Sequence, residues 1–137
     1  MVTESVQMDL VRAAREAAKQ AWCPYSHYPV GAAILAGDGT VHTGCNIENA
    51  SYGLTNCAER TAIFKAVSSG IRSFQALAIV GGEEEPAKPC GACRQVMAEF
   101  CGAEMPVLIG CLRGDLLLRT TVGELLPLSF SPRNLKR

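Results

Sequence analysis

The sequence predicts an α/β fold, a single three-layer domain with a mixed five-stranded β-sheet covered by helices. Three observations carry this. Apolar runs of strand length alternate with helix-period segments in the order helix–strand–strand–helix–strand–helix–strand–strand. The 137 residues suit one domain spanning 1–137, with no linker, internal repeat or low-complexity tract. The turn signal Gly37-Asp38-Gly39 joins two strands directly and makes them antiparallel, whereas strands joined through a helix are expected to run parallel.

The elements follow in chain order. Residues 5–22 place Val6, Leu10, Ala14, Ala17, Ala18 and Ala21 at helical spacing, opposite Asp9, Arg12, Glu16 and Lys19. Pro24 ends this helix, and Trp22 at its end is read as a packing residue. Residues 24–29 form a loop. Val30–Ala36 is a continuous apolar run, a buried strand, and Thr40–Cys45 is its hairpin partner. The polar, turn-rich stretch 46–56 is long enough for a functional loop. Cys57–Ser69 reads as a helix stopped by Gly70, with Ala58, Ala62, Ile63, Ala66 and Val67 inward. Ala76–Val80 is a short buried strand, and residues 81–89 form a loop whose run Glu83–Glu85 is solvated. Cys90–Cys101 is a second short helix, stopped by Gly102 and burying Val96, Met97 and Phe100. Val107–Gly110 and Leu116–Thr121 are strands, and Glu124–Leu126 is a helical turn before a proline-rich tail.

Composition narrows the function. An apolar fraction of 48% and a charged fraction of 19% belong to a folded globular chain. Thirteen basic and thirteen acidic residues cancel, so no positive field recruits nucleic acid or an anionic membrane surface. No apolar run approaches the ~20 residues that span a bilayer. The first twenty residues lack the apolar core of a signal peptide, which predicts a cytoplasmic protein. Seven scattered cysteines in such a setting point to buried thiols plus a metal or catalytic cluster rather than disulfides.

The sharpest cluster is Cys57-Ala58-Glu59 together with Pro89-Cys90-Gly91-Ala92-Cys93. Each half sits where a loop enters a helix, and the free N–H groups there favour thiolates, the form that binds metal. Cys90 and Cys93 lie about one turn apart and project to one side. Cys57 joins them if the two helix entries converge at one sheet edge. Three thiolates favour zinc, and three rather than four protein ligands leave a position for water, as in catalytic sites. Two helical residues rotate by about 200°, so Cys57 is expected at the cap, outside helical geometry, with Glu59 in the first turn. A structural zinc module would need a fourth ligand; Cys45, Cys101, Cys111, His27 and His42 exist, but none stands at ligand spacing.

At these residues the chain resembles the zinc-dependent cytidine deaminases, specifically the short free-nucleoside class. The superfamily pattern is His or Cys, one residue, Glu, then P-C-x-x-C, present here as Cys57-Ala58-Glu59-Arg60 and Pro89-Cys90-Gly91-Ala92-Cys93-Arg94-Gln95. The narrower likeness is Gly44-Cys45-Asn46-Ile47-Glu48-Asn49-Ala50, with Pro24-Tyr25-Ser26, Pro29-Val30-Gly31-Ala32 and Glu124-Leu125-Leu126-Pro127. The resemblance implies the cytidine deaminase-like fold and hydrolysis of cytidine and 2′-deoxycytidine to uridine and 2′-deoxyuridine in pyrimidine salvage. It implies one Zn²⁺ per subunit on Cys57, Cys90 and Cys93, with Glu59 shuttling protons. It implies that Asn46 and Glu48 bind the ribose hydroxyl, that backbone near Ala58 meets the base edge, and that Tyr28, usually phenylalanine in the family, packs against the base. Arg60 would donate to a cysteine sulfur, with Arg94 the weaker candidate. A homotetramer is implied, in which Phe130 reaches a neighbouring subunit's site.

Two other readings remain at this stage. One is a deaminase of a modified aminonucleoside such as blasticidin S, against which the Asn46/Glu48 pair argues. The other is a structural-zinc interaction module. A nucleotide or polynucleotide deaminase would need a basic cluster that the sequence lacks. Loss of ultraviolet absorbance with cytidine separates these possibilities.

Overall fold

The computed structural model describes residues 2–135. Helix α1 (Glu4–Ala18) is followed by strands β1 (Val30–Ala36) and β2 (Val41–Cys45), helix α2 (Ala58–Ser68) and strand β3 (Phe74–Gly81). Helix α3 (Gly91–Phe100), strands β4 (Pro106–Gly110) and β5 (Leu117–Thr121) and the short helix α4 (Val122–Leu125) complete the domain. Single 3₁₀ turns occupy Tyr52–Leu54 and Pro132–Leu135. The sheet order is β2-β1-β3-β4-β5. β1 pairs antiparallel with both neighbours, β3 pairs parallel with β4, and β4 antiparallel with β5. The mixed five-stranded sheet is as expected.

Alternation along the central strands divides the core into two layers, because successive side chains in a strand point to opposite faces. Ala33, Leu35, Ala76, Ala78, Val80 and Leu108 meet Leu10, Val11 and Ala14 of α1 on one face. Ala32, Ile34, Leu77, Ile79, Val107 and Ile109 meet Ala58, Ala62, Ile63 and Ala66 of α2 and Met97 of α3 on the other. Burial on both faces is why these strands read as unbroken apolar runs.

Three elements depart from the sequence expectation. The last helical turn, α4, starts at Val122 rather than Glu124, and the Thr121 hydroxyl caps it by accepting from Glu124 N. Helix α1 ends at Ala18 rather than residue 22. The Trp22 N–H donates to Asn46 O and its carbonyl accepts from Glu48 N, a parallel bridge to Ile47 that helical geometry would forbid. Trp22 is therefore not a core residue; it is 60% exposed. Strand β3 begins at Phe74, two residues before Ala76, since β1 continues its pairing past a bulge to Ala36↔Phe74. Among the described residues no helix is long and apolar enough to cross a membrane.

Small residues set the spacing of the helices. A Cβ on Gly31 of β1 would stand 1.9 Å from Ala14 O of α1. A Cβ on Gly44 of β2 would stand 2.5 Å from Ala62 N and 2.8 Å from Ala58 O, in the first turns of α2. Gly44→Ala should push α2 off the sheet and cost about 1–3 kcal/mol by overpacking, read as a fall of several degrees in Tm. Gly53→Ala, with nothing within 4 Å of the new methyl, should leave Tm near the wild-type value.

Candidate metal centre and substrate cleft

Strand directions bring the site together. β2 and β3 are both antiparallel to β1, so they run the same way, and the helices that follow them begin at the same sheet edge. Cys57 is the N-cap of α2 (φ −76°, ψ 158°) and Cys90 the N-cap of α3 (φ −72°, ψ 167°). Both are extended, as the Cys57-x-Glu59 spacing requires, and neither sulfur is engaged in capping its helix. Cys57 Sγ lies 3.7 Å from Cys90 Sγ, and Cys90 Sγ 3.5 Å from Cys93 Sγ. The ligand atoms of all three lie within 4.8 Å of one another, and no fourth His, Cys, Asp or Glu joins them among the described residues. Three sulfurs each ~2.3 Å from a tetrahedral ion would stand about 3.8 Å apart, so the cluster fits zinc. The other cysteines stay outside. Cys101 is buried in the core, where desolvation pushes its thiol up to about 12, and Cys111 is buried beyond β4.

Electrostatics concentrate charge on Cys57. Hydrogen bonding from the Cys93 thiol, then from Arg60, pulls its pKa down to about 5 against the opposing effect of burial. The Cys93 thiol is pushed up by its neighbour Cys57 and by desolvation. Arg60 donates through Nη2 to Cys57 Sγ at 3.2 Å. Arg94 does not touch sulfur. Its Nε donates to Pro89 O at 2.8 Å and its Nη1 to Leu125 O at 2.9 Å.

A cleft of about 360 Å³ opens beside the sulfurs, lined by Cys57, Cys90, Ala58, Glu59, Asn46, Glu48 and Tyr28. Glu59 is 4% exposed, and desolvation raises its carboxyl above the ordinary range. Glu48 accepts from the backbone N–H groups of Tyr25 (2.9 Å) and Ser26 (3.1 Å) and from the Ser26 hydroxyl. The Ser26 bond is the main reason its carboxyl lies below the usual value. Asn46 accepts from Val30 N and donates to Tyr28 O, both at 2.9 Å. One amide N–H and one lone pair remain for another partner. The Tyr28 hydroxyl hangs over the turn at Gly82, where an added Cβ would come within 2.9 Å of it.

Phe130 lies away from this cleft, 59% exposed, its carbonyl accepting from Gln95 Nε2 at 2.9 Å. A larger hollow, about 580 Å³, lies under the C-terminal segment between Ala98 and Pro132 and contains none of the cluster. Sequence reasoning passed over Ser26, Val30, Thr55, Ile79, Ala87 and Lys88 as cleft residues. Ser26 was legible in the family-like Pro24-Tyr25-Ser26 segment; Lys88 had only its adjacency to Pro89-Cys90.

Convergent thiolates at two helix entries, with a buried carboxylate beside them, define the class of zinc-binding deaminases. Residues 4–109 match the family model for the cytidine and deoxycytidylate deaminase zinc-binding region. A cytidine deaminase of Sporosarcina psychrophila is 59% identical over 126 residues, covering 92% of this chain and 92% of that protein. Another, from Halalkalibacterium halodurans, is 54% identical over 126 residues, covering 92% of this chain and 95% of the relative. The crystal structure of a cytidine deaminase from Burkholderia pseudomallei superposes with a TM-score of 0.86 at 49% identity, over 90% of this chain and 98% of that one. Within its class, this chain belongs to the cytidine deaminase family.

Arg60→Gln removes the donor on Cys57 Sγ while keeping a polar chain. Outer partners of metal ligands typically contribute 10–100-fold in metal affinity or activity. Competition with a chelator should show zinc affinity reduced by about that factor, with the helix content by circular dichroism unchanged.

Proposed function

We propose that the chain hydrolyses cytidine and 2′-deoxycytidine to uridine and 2′-deoxyuridine, releasing ammonia. The observation that carries this is the single cleft joining Cys57, Cys90 and Glu59 at one end to Asn46 and Glu48 at the other. A nucleoside needs such a two-ended site: one end for the base, where the chemistry occurs, and one for the sugar. Membership of the family supports the reaction, and among the described residues Lys88 alone brings a positive charge to the cleft lining, which favours a nucleoside over a nucleotide.

One zinc per chain is held by Cys57, Cys90 and Cys93. When bound, zinc makes water nucleophilic near neutral pH. Glu59 accepts a proton from the attacking water and passes protons to ring N3 and the departing amine, so that C4 gains oxygen and loses ammonia. Its burial, which favours the protonated carboxyl, suits a group that must carry a proton mid-reaction. Backbone at Ala58 meets the base edge, and Tyr28 packs against the ring. Asn46 and Glu48 bind the ribose hydroxyl. The ionised Glu48 is held in place by the Tyr25-Ser26 backbone, and Asn46 keeps donor and acceptor capacity to spare. Arg60 offsets the excess negative charge of three thiolates on a divalent ion.

The protein acts in the cytoplasm in pyrimidine salvage, as a homotetramer in which Phe130 enters a neighbouring subunit's site. The exposed Trp22, Tyr52, Leu54 and Phe130 supply apolar surface for such assembly.

Cytidine and deoxycytidine should lose ultraviolet absorbance with the enzyme, whereas cytidine monophosphate and adenosine should not. Glu59→Gln should retain about one zinc per chain, and should lose at least the ~10²–10⁴-fold that a positioned acid/base contributes. Normal turnover with normal zinc would remove Glu59 as the shuttle. Glu48→Gln and Asn46→Ala should weaken turnover of cytidine far more than zinc binding. Unchanged kinetics in both variants would refute the sugar assignment.

A further inference from the structure

We propose that Arg94 is a positioning residue of the metal centre: its guanidinium fixes the peptide that presents Cys90 and ties that peptide to the end of α4. The proposal rests on the reading that Cys57, Cys90 and Cys93 hold zinc.

Cys90 is exposed at the entry of α3, and its own side chain caps nothing there. Its sulfur is therefore aimed by the peptides on either side. Arg94 holds both. Its side-chain Nε donates to the carbonyl of Pro89, the residue before the ligand, at 2.8 Å. Its backbone N–H donates to the carbonyl of Cys90 itself at 3.1 Å. Pro89 is buried, and a buried carbonyl without a donor is costly. Proline also fixes φ at that position, so anchoring its carbonyl leaves the Pro89–Cys90 peptide little freedom.

The second prong, Nη1, donates at 2.9 Å to Leu125 O, one of the last carbonyls of α4, which have no partner within their own helix. Only a planar fork with diverging donors serves both carbonyls at once; a lysine ammonium at the same site is a single point. The neighbouring Gln95 also fastens the C-terminal segment, through Nε2 to Phe130 O, but touches no peptide of a metal ligand. Two consecutive side chains thus hold the same tail, and only one of them reaches the metal centre.

That contrast is the test. Zinc-loaded full-length protein is mixed with excess chromogenic chelator well below Tm, and the release rate is measured. Arg94→Ala should release zinc about 10-fold faster, the lower end for groups acting on a ligand from outside. Gln95→Ala should release it at the wild-type rate, although protease should cut its tail near Phe130 more readily. Leu108→Ala, which weakens the fold on the α1 face, should also keep the wild-type rate despite a lower Tm. Wild-type release from Arg94→Ala, or equal acceleration by Leu108→Ala, would overturn the proposal. Should the alanine variant not fold, Arg94→Lys keeps the charge but not the fork and should still release faster than wild type; a wild-type rate from it counts against the role. If wild-type protein takes up no zinc, or Cys90→Ala retains it fully, the underlying assignment fails instead.

Discussion

Everything at this site depends on two helices starting at the same edge of one sheet. β1 separates β2 from β3 and runs against both, so α2 and α3 leave the sheet from a shared edge with their N-terminal ends together. Unsatisfied N–H groups and the positive end of each helix dipole then face a common space, which favours thiolates over thiols. Each helix places a cysteine at its cap, and the third lies one turn into α3. Close packing keeps these entries in register: Gly44 leaves no room between β2 and the first turns of α2.

The same edge builds the opposite end of the cleft from loops, where side chains do the work that a backbone ladder does elsewhere. Asn46 reaches across to Tyr28 O and Val30 N, and Glu48 gathers the N–H groups of Tyr25 and Ser26. His27, within that segment, has φ of 56°, a left-handed conformation uncommon outside glycine. Asn46 and Glu48 thereby shape the wall that they also help to line, so their polar capacity is divided between building the site and meeting a ligand.

The fold and the metal centre were legible because both follow from short-range rules. Double-sided burial makes strands read as apolar runs, and a cap cysteine two residues before a buried glutamate requires a break from helical geometry. What failed depended on long-range partners. The helical pattern of α1 continued through Ala21, but the chain turned early because Trp22 bridges to Ile47, a pairing between segments far apart in sequence. Arg94 looked like a neighbour of sulfur, yet its long side chain runs instead to Pro89 and Leu125, and the second of these no local spacing could reveal. Lys88 and Thr55 entered the cleft from loops whose path no periodicity encodes.

The two ends of the cleft differ in how freely they can change. Ala58 and Glu59 are buried in the helical layer that packs on the sheet, so a change of side-chain volume at the sulfur end of the cleft disturbs the core. Tyr28 and Lys88 stand on loops, largely exposed, and carry little of the core's packing. Substitution there can remodel the rim while the reactive pole stays as it is. The architecture is thus suited to evolutionary drift in substrate preference at constant chemistry, and a library meant to redirect the enzyme has its most permissive ground at exposed rim positions such as Tyr28 and Lys88.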